Sequence, residues 1–268
     1  MDPTSSTPVV WTIAGSDSGG GAGIQADLKV INALGAHGCS VITTLTAQNT
    51  QGVEMTEPVS DAMLRAQLHA LGSDLQPSAI KTGMLGSASS CTIISEVLPA
   101  YHVPVVCDPV LKSTSGTNLL DPDAIEILTK SILPYVDVLT PNLPEAKALI
   151  GEFKTLEEAA EKLLAFGIQS VLIKGGHAEG DECRDYWTDG NTSLWLSSPR
   201  INTRHTHGTG CILSSAIAAA LAMGHSTLSA ITLAKTYLNQ SLKSPTNLGD
   251  GHGPMKIEPF RNAEEDRP

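Results

Sequence analysis

The chain has 268 residues, 41% of them hydrophobic and 17% charged, with a formal net charge of −11. Such a composition suits a globular α/β protein with an ample core. Acid and base are mixed along the chain with no basic block, which argues against a nucleic-acid or membrane-surface binder. Any phosphate ligand must therefore be held locally, by backbone N–H groups, a few lysines or a metal.

In chain order, apolar β-branched runs alternate with helix-period segments. Strands are predicted at 9–14, 40–47, 78–82, 103–107, 136–140 and 170–174. Helices are predicted near 22–35, 60–73, 87–100, 121–133, 143–150, 155–166, 210–223 and 226–243. Runs without polar alternation, such as "VPVVC", fit strands buried on both faces of a parallel sheet. "CRDYWT" and "SLWLSS" flank "DGN", a hairpin signal, and extend the sheet antiparallel at its edge. No linker or repeat divides the chain, so one α/β domain over 1–268 is expected, with loose ends at 1–8 and 258–268. The five cysteines show no C-x-x-C spacing, which points to a reducing compartment and a cytoplasmic protein. The N-terminus is polar, without a secretory signal, and the apolar helix "ILSSAIAAALAMG" is too short to span a bilayer.

Ligands of an open parallel sheet bind outside the carboxyl ends of the strands. Two glycine clusters fall there. The first, "AGSDSGGGAGIQAD" (14–27), lacks the lysine of a P-loop. It matches G-x-G-x-x-[GA] at Gly21, Gly23 and Ala26, but no acid ends the next strand, as a dinucleotide site requires. A tight turn, or a backbone laid against a non-nucleotide substrate, remains. The second cluster, "HTHGTGC", opens a small-residue helix at Cys211. Free N–H groups at such a helix start make an anion site. The same dipole is expected to lower the thiol pKa of Cys211; alternatively the cysteine is plain core.

"TIAGSDSGGGAGIQADLK", "SVITTLTAQNTQGV", "IKTGMLGS", "DPV", "TPNLPEA", "KGGH", "THGTGC" and "GHGP" follow in an order that resembles the hydroxymethylpyrimidine/phosphomethylpyrimidine kinases of thiamin biosynthesis. That group is part of the ribokinase-like superfamily. The likeness runs from about Val10 to about Pro254. It implies a three-layer αβα fold with a mostly parallel sheet, ATP and Mg²⁺ as cofactors, and a homodimer. The implied reaction phosphorylates 4-amino-5-hydroxymethyl-2-methylpyrimidine and then its monophosphate. Pyridoxal kinase of the same subgroup is the alternative activity, and a non-catalytic pyrimidine-binding relative is a third possibility.

The resemblance also implies site roles. Gly208, Thr209 and Gly210 form the anion hole, and Cys211 takes the proton from the hydroxymethyl group or lies beside that proton as the phosphoryl group arrives. Asn142 and Glu145 carry the N-x-x-E pattern of phosphate and Mg²⁺ organisation; alternatively they form a capping box. Asp108 joins Glu145 as a metal candidate, or is only a turn aspartate. Lys174, Thr206 and Lys235 are assigned to the nucleotide; both lysines have solvated alternatives. Asp27, Gln48, Met84 and Val110 are assigned to the substrate, with Gly19 and Gly20 as a wall along which the ring approaches the backbone. Gln48 suits an aminopyrimidine because an amide both donates and accepts. The chain departs from its relatives after "DPV", where "LKSTSGTN" lacks the usual acid, so that loop is expected to close differently. Thr82 replaces the usual isoleucine.

Overall fold

The computed structural model describes residues 6–111, 119–120, 122–175, 181–244 and 246–260. Its strands are β1 (Val9–Asp17), β2 (His37–Gln48), β3 (Val53–Pro58), β4 (Ala79–Thr82), β5 (Val105–Cys107), β6 (Val138–Leu139), β7 (Val171–Ile173), β8 (Glu182–Thr188) and β9 (Ser193–Pro199). The helices are α1 (Gly23–Ala33), α2 (Asp61–Asp74), α3 (Ala88–Val97), α4 (Pro122–Ile127), α5 (Leu143–Ile150), α6 (Leu156–Leu164), α7 (Thr209–Ala222) and α8 (Thr227–Leu242). The strands form one sheet in the order β3-β2-β1-β4-β5-β6-β7-β8-β9. From β2 to β7 the pairs are parallel; β3, β8 and β9 join antiparallel.

Alternate residues of the central strands serve two cores. Trp11, Ile13, Val105, Cys107, Leu139, Val171 and Ile173 face one side, and Val10, Val106, Val138 and Leu172 face the other. Helices α2 to α6 supply buried or packed residues to the first core; α1, α7 and α8 supply the second. The result is the expected three-layer αβα arrangement. It explains why the strands read as continuous apolar runs. The middle of α7, Ile212 to Ala220, is wholly buried and mostly Ala, Ser and Ile, which lets the helix lie close to α1, α8 and the sheet.

The helix starts follow local chemistry. Ser60, Ser87, Thr155 and Ser226 each accept from the backbone N–H three residues on. Helix α4 widens over 128–132 and ends in a tight turn at 133–135, because Pro134 has no N–H to continue the ladder. That is why the helix predicted as unbroken over 121–133 is interrupted. Strand β3 was not foreseen. Its side chains are nearly all exposed, so it carries no apolar alternation. The predicted loose end is also partly docked: Tyr237 Oη donates to the Glu258 carbonyl at 2.7 Å, and the Phe260 ring lies 5.9 Å from that of Tyr237. The expectation about the loop after Asp108 falls on 112–118, outside the described residues.

Candidate active site

The sheet order reverses about β1 and β4: β2 lies on one side of β1, and the chain then advances on the other. A cavity of about 920 Å³ opens along the carboxyl ends of the strands at this switch point. It runs from Gln48 at the end of β2 to Asp185 on β8 and Lys235 on α8. That is six strand intervals, roughly 25–30 Å at ordinary strand spacing, long enough for a small ring and a nucleoside triphosphate end to end.

Gln48, Met84 and Val110 all line this cavity. Met84 is buried, and its Sδ lies 3.0 Å from the place a Cβ on Gly15 would occupy, so the thioether seats directly over the strand end. At the centre stand Asp108, Lys81 and the start of α7. Gly208 begins that helix at φ 86°, and the amides of Gly210 and Cys211 fall in its first turn, without intrahelical acceptors. A Cβ on Gly210 would lie 2.8 Å from Asp108 Oδ2, close enough to displace that carboxylate. Thr206, Gly208 and Thr209 also line the cavity.

Lys174 directly follows β7 and is neither solvated nor isolated. Its Nζ sits 2.8 Å from Asp108 Oδ1 and 3.7 Å from Glu145 Oε2. Thr140 Oγ1 also donates to Asp108 Oδ1, at 3.2 Å. Asn142 and Glu145 form a complete capping box on α5: the Asn142 Oδ1 accepts from Glu145 N at 2.8 Å, and Glu145 Oε2 accepts from Asn142 N at 2.7 Å. The capping-box reading is the one observed, and both residues also line the cavity. Burial pushes the Glu145 carboxyl up to about 7; the Asp108 carboxylate adds to the rise and Lys174 opposes it. Burial would drain the Lys174 proton, but Asp108 and Glu145 overrule it and hold the ammonium above its usual range. Lys235 likewise is no surface lysine: it pairs with Asp185 Oδ2, whose other oxygen accepts from Gly175 N at 2.9 Å.

The raised carboxyl has a measurable consequence. A group that binds its proton more tightly folded than unfolded contributes most below pH 4.5, and loses that contribution as pH rises through about 7. Between pH 5 and 8 the ligand-free Glu145→Gln variant, which keeps the capping box, is expected to gain on the native chain by roughly 1–3 kcal/mol. Urea unfolding at the two pH values checks this; an equal gap at both would contradict it.

Three expectations need correction. Cys211 does line the cavity, but its thiol is pushed up to about 12, not down. Burial is the main cause, and the carboxylates of Asp27 and Asp108 add to it; Lys81 and the Gly23 N–H, which donates to the sulfur, only partly offset them. Asp27 does not reach the cavity. It is fully buried, with Oδ2 accepting from Thr12 Oγ1 at 2.6 Å and Lys81 Nζ at 2.7 Å, and Oδ1 accepting from Ser215 Oγ at 2.7 Å. No lone pair is directed at a substrate hydroxyl. Gly19 and Gly20 do not line the cavity either; that wall comes from Ala14 to Asp17, Ala22 and Gly23.

The first glycine run serves a different end. It packs against the second: a Cβ on Gly208 would lie 2.0 Å from the Gly21 carbonyl oxygen, and one on Gly21 would lie 2.5 Å from His207 Cδ2. Gly208→Ala must also bear a positive φ, and is expected to cost at least about 2 kcal/mol. Urea unfolding tests that cost; a loss under about 0.5 kcal/mol would show that the loops separate freely.

Asp17, His207 and Lys81 are site residues that sequence reasoning passed over. Asp17 binds the glycine loop from within, accepting from Gly19 N at 2.8 Å, Gly21 N at 2.9 Å and Ala22 N at 2.8 Å. His207 Nε2 lies 2.9 Å from the same Oδ2. Burial alone would raise the pKa of Asp17, but the bonds from His207, Ala22 and Gly19 prevail and hold it below the usual value. Lys81 could have been suspected as a lone cation in an otherwise apolar strand. Burial alone would deprotonate it, and Asp27 holds it charged.

The profile of the phosphomethylpyrimidine kinase family matches residues 17–256. A hydroxymethylpyrimidine/phosphomethylpyrimidine kinase from Rhizobium meliloti is 45% identical over 256 residues, spanning 93% of this chain and 96% of its own length. A solved phosphomethylpyrimidine kinase from Clostridium difficile overlays with a TM-score of 0.78 at 38% identity, covering 88% of this chain and all of that one. The pyridoxal kinase from Staphylococcus aureus, solved with AMP-PCP and pyridoxal, overlays at a TM-score of 0.87 and 32% identity, over 96% and 95% of the two chains.

Proposed function

The chain belongs to the phosphomethylpyrimidine kinase family, and from that premise we propose that it moves the γ-phosphoryl group of ATP onto 4-amino-5-hydroxymethyl-2-methylpyrimidine and then onto the monophosphate, in thiamine biosynthesis. The observation that carries the reading is one continuous cavity lined by an amide, two apolar side chains and the first turn of α7. Gln48 pairs with the edge of the pyrimidine, and Met84 and Val110 cover its faces. The γ-phosphoryl group lies on the first turn of α7, where backbone N–H groups and the helix dipole spread its charge. Cys211 stands beside the attacking hydroxyl. Lys174 and Lys235 lie on the nucleotide side, each already paired with a carboxylate that a phosphate would compete with.

Mg²⁺ fits this donor set as a water-sharing guest. Among the described residues no three His, Cys, Asp or Glu side chains are grouped to hold a metal. Mg²⁺ binds through one or two carboxylates and substrate phosphates, which Asp108 and Glu145 can supply. When bound it neutralises phosphate charge during transfer. The proposal includes a homodimer, for which the exposed Leu45 and Met55 on β2 and β3 offer an apolar face, and a cytoplasmic site, which suits five cysteines none of which is in a disulfide.

ADP release measured with the pyrimidine alcohol and with pyridoxal tests the reading. Turnover of the pyrimidine with a higher kcat/KM than pyridoxal supports it. Pyridoxal turned over well, with no pyrimidine turnover, would assign the cavity to the pyridoxal kinases that share its fold. Tight pyrimidine binding without any transfer would make the chain a binding protein.

A further inference from the structure

The Asp17–His207 pair reaches past the glycine loops. The terminal amide of Gln48 lies 3.1 Å from His207 Nε2 on one side and 3.2 Å from Thr46 Oγ1 on the other. Asp17 is ionised and can only accept, so the ring nitrogen 2.9 Å from it must carry the proton. The recorded amide orientation turns the Gln48 nitrogen toward that N–H, which sets two donors face to face. Amide oxygen and nitrogen have the same shape, and the hydrogen-bond network decides between them. With the two exchanged, the Gln48 oxygen shares the one His207 Nε2–H with Asp17 Oδ2 in a three-centre bond. The Gln48 nitrogen then donates to Thr46 Oγ1, whose own proton goes to the Ser16 carbonyl at 2.9 Å. Every donor then has an acceptor.

We propose that His207, locked by Asp17, is a positioning residue that holds Gln48 with its carbonyl toward α7 and its amino group toward Thr46, and so sets which way round an aminopyrimidine binds. This rests on the pyrimidine reading of the cavity. The outer edge of the amide presents an acceptor and a donor side by side. An aminopyrimidine presents the complement, a ring nitrogen beside an exocyclic amine. The amine therefore pairs on the His207 side. The hydroxymethyl group is carried by the ring carbon next to the amine-bearing one, so it falls on that same side, toward Gly208 and Cys211. The opposite amide order would turn the ring over and carry the hydroxyl away from the phosphoryl site. A ring without the amine receives no such cue.

The test compares the native chain, His207→Phe and His207→Gln, on the aminopyrimidine alcohol and on its analogue lacking the amine. For His207→Phe, kcat on the aminopyrimidine is expected to fall about tenfold or more without a rise in KM, because misoriented poses share the site. On the analogue kcat should change less than about threefold, and His207→Gln, which keeps a donor, should restore most of the loss. An equal fall on both substrates in a folded variant, or no fall, would overturn the proposal. Nitrogen-15 spectra of the native protein give an independent reading that needs no variant to fold: a protonated Nε2 on His207 is expected, and an unprotonated one would overturn the proposal. Failure to phosphorylate any pyrimidine would instead sink the functional reading, while the spectra would still decide the order of the hydrogen bonds.

Discussion

Replacing Cys211 with alanine is expected to lower kcat on the pyrimidine by about a hundredfold or more, with little change in the KM for ATP. The native chain should show a rate that climbs with pH across pH 7–10 without a plateau, because the thiol is held near 12. The alanine variant should lose that slope. The physical reason lies in the surroundings of the sulfur. It is half-buried at the cavity wall, and its desolvation together with the carboxylates of Asp27 and Asp108 outweighs Lys81 and the Gly23 N–H. A standing thiolate is therefore not the resting form. The proton of the alcohol must leave late, as a loose phosphoryl transfer state permits. Near-native turnover in Cys211→Ala would remove the base role and leave catalysis to the amides of α7.

The second large effect concerns the layer beneath the site. Asp27→Asn or Lys81→Met alone is expected to cost about 3–5 kcal/mol of folding stability, since each leaves an uncompensated charge in the protein interior. The double variant should recover more than half of that loss. Both side chains are fully buried and 2.7 Å apart, with Thr12 and Ser215 completing the carboxylate's hydrogen bonds. Urea unfolding of the three variants measures the cycle. Single losses under about 1 kcal/mol would show that water reaches the pair, and would reopen a direct role for Asp27 at the substrate.

The order and type of most elements were legible because β-branched runs and 3.6-residue periods alternate so regularly. Strand β3 was illegible because an edge strand with no buried face has no pattern to read. In the site, residues that follow strands were legible by position: Asp108, Asn142 and Lys174 each sit just past a carboxyl end. What a linear reading could not supply was the pairing across the chain. Gly21 and Gly208 are far apart in sequence, and only the fold shows that Gly208 is hemmed in by the Gly21 carbonyl and Gly21 by the His207 ring. For the same reason Asp27, which has the position of a helix-surface acid, proved to be the buried partner of Lys81. The sign of the Cys211 shift was missed likewise, because a helix dipole can be read from sequence whereas the thiol's burial and two converging carboxylates cannot.

The most direct measurement is a phosphorus-31 NMR time course with the native chain, MgATP and 4-amino-5-hydroxymethyl-2-methylpyrimidine. The account predicts a monophosphate resonance that rises and then gives way to the paired resonances of a diphosphate, with ADP formed in step. ATP left intact, or consumed with no phosphorylated pyrimidine, would contradict it.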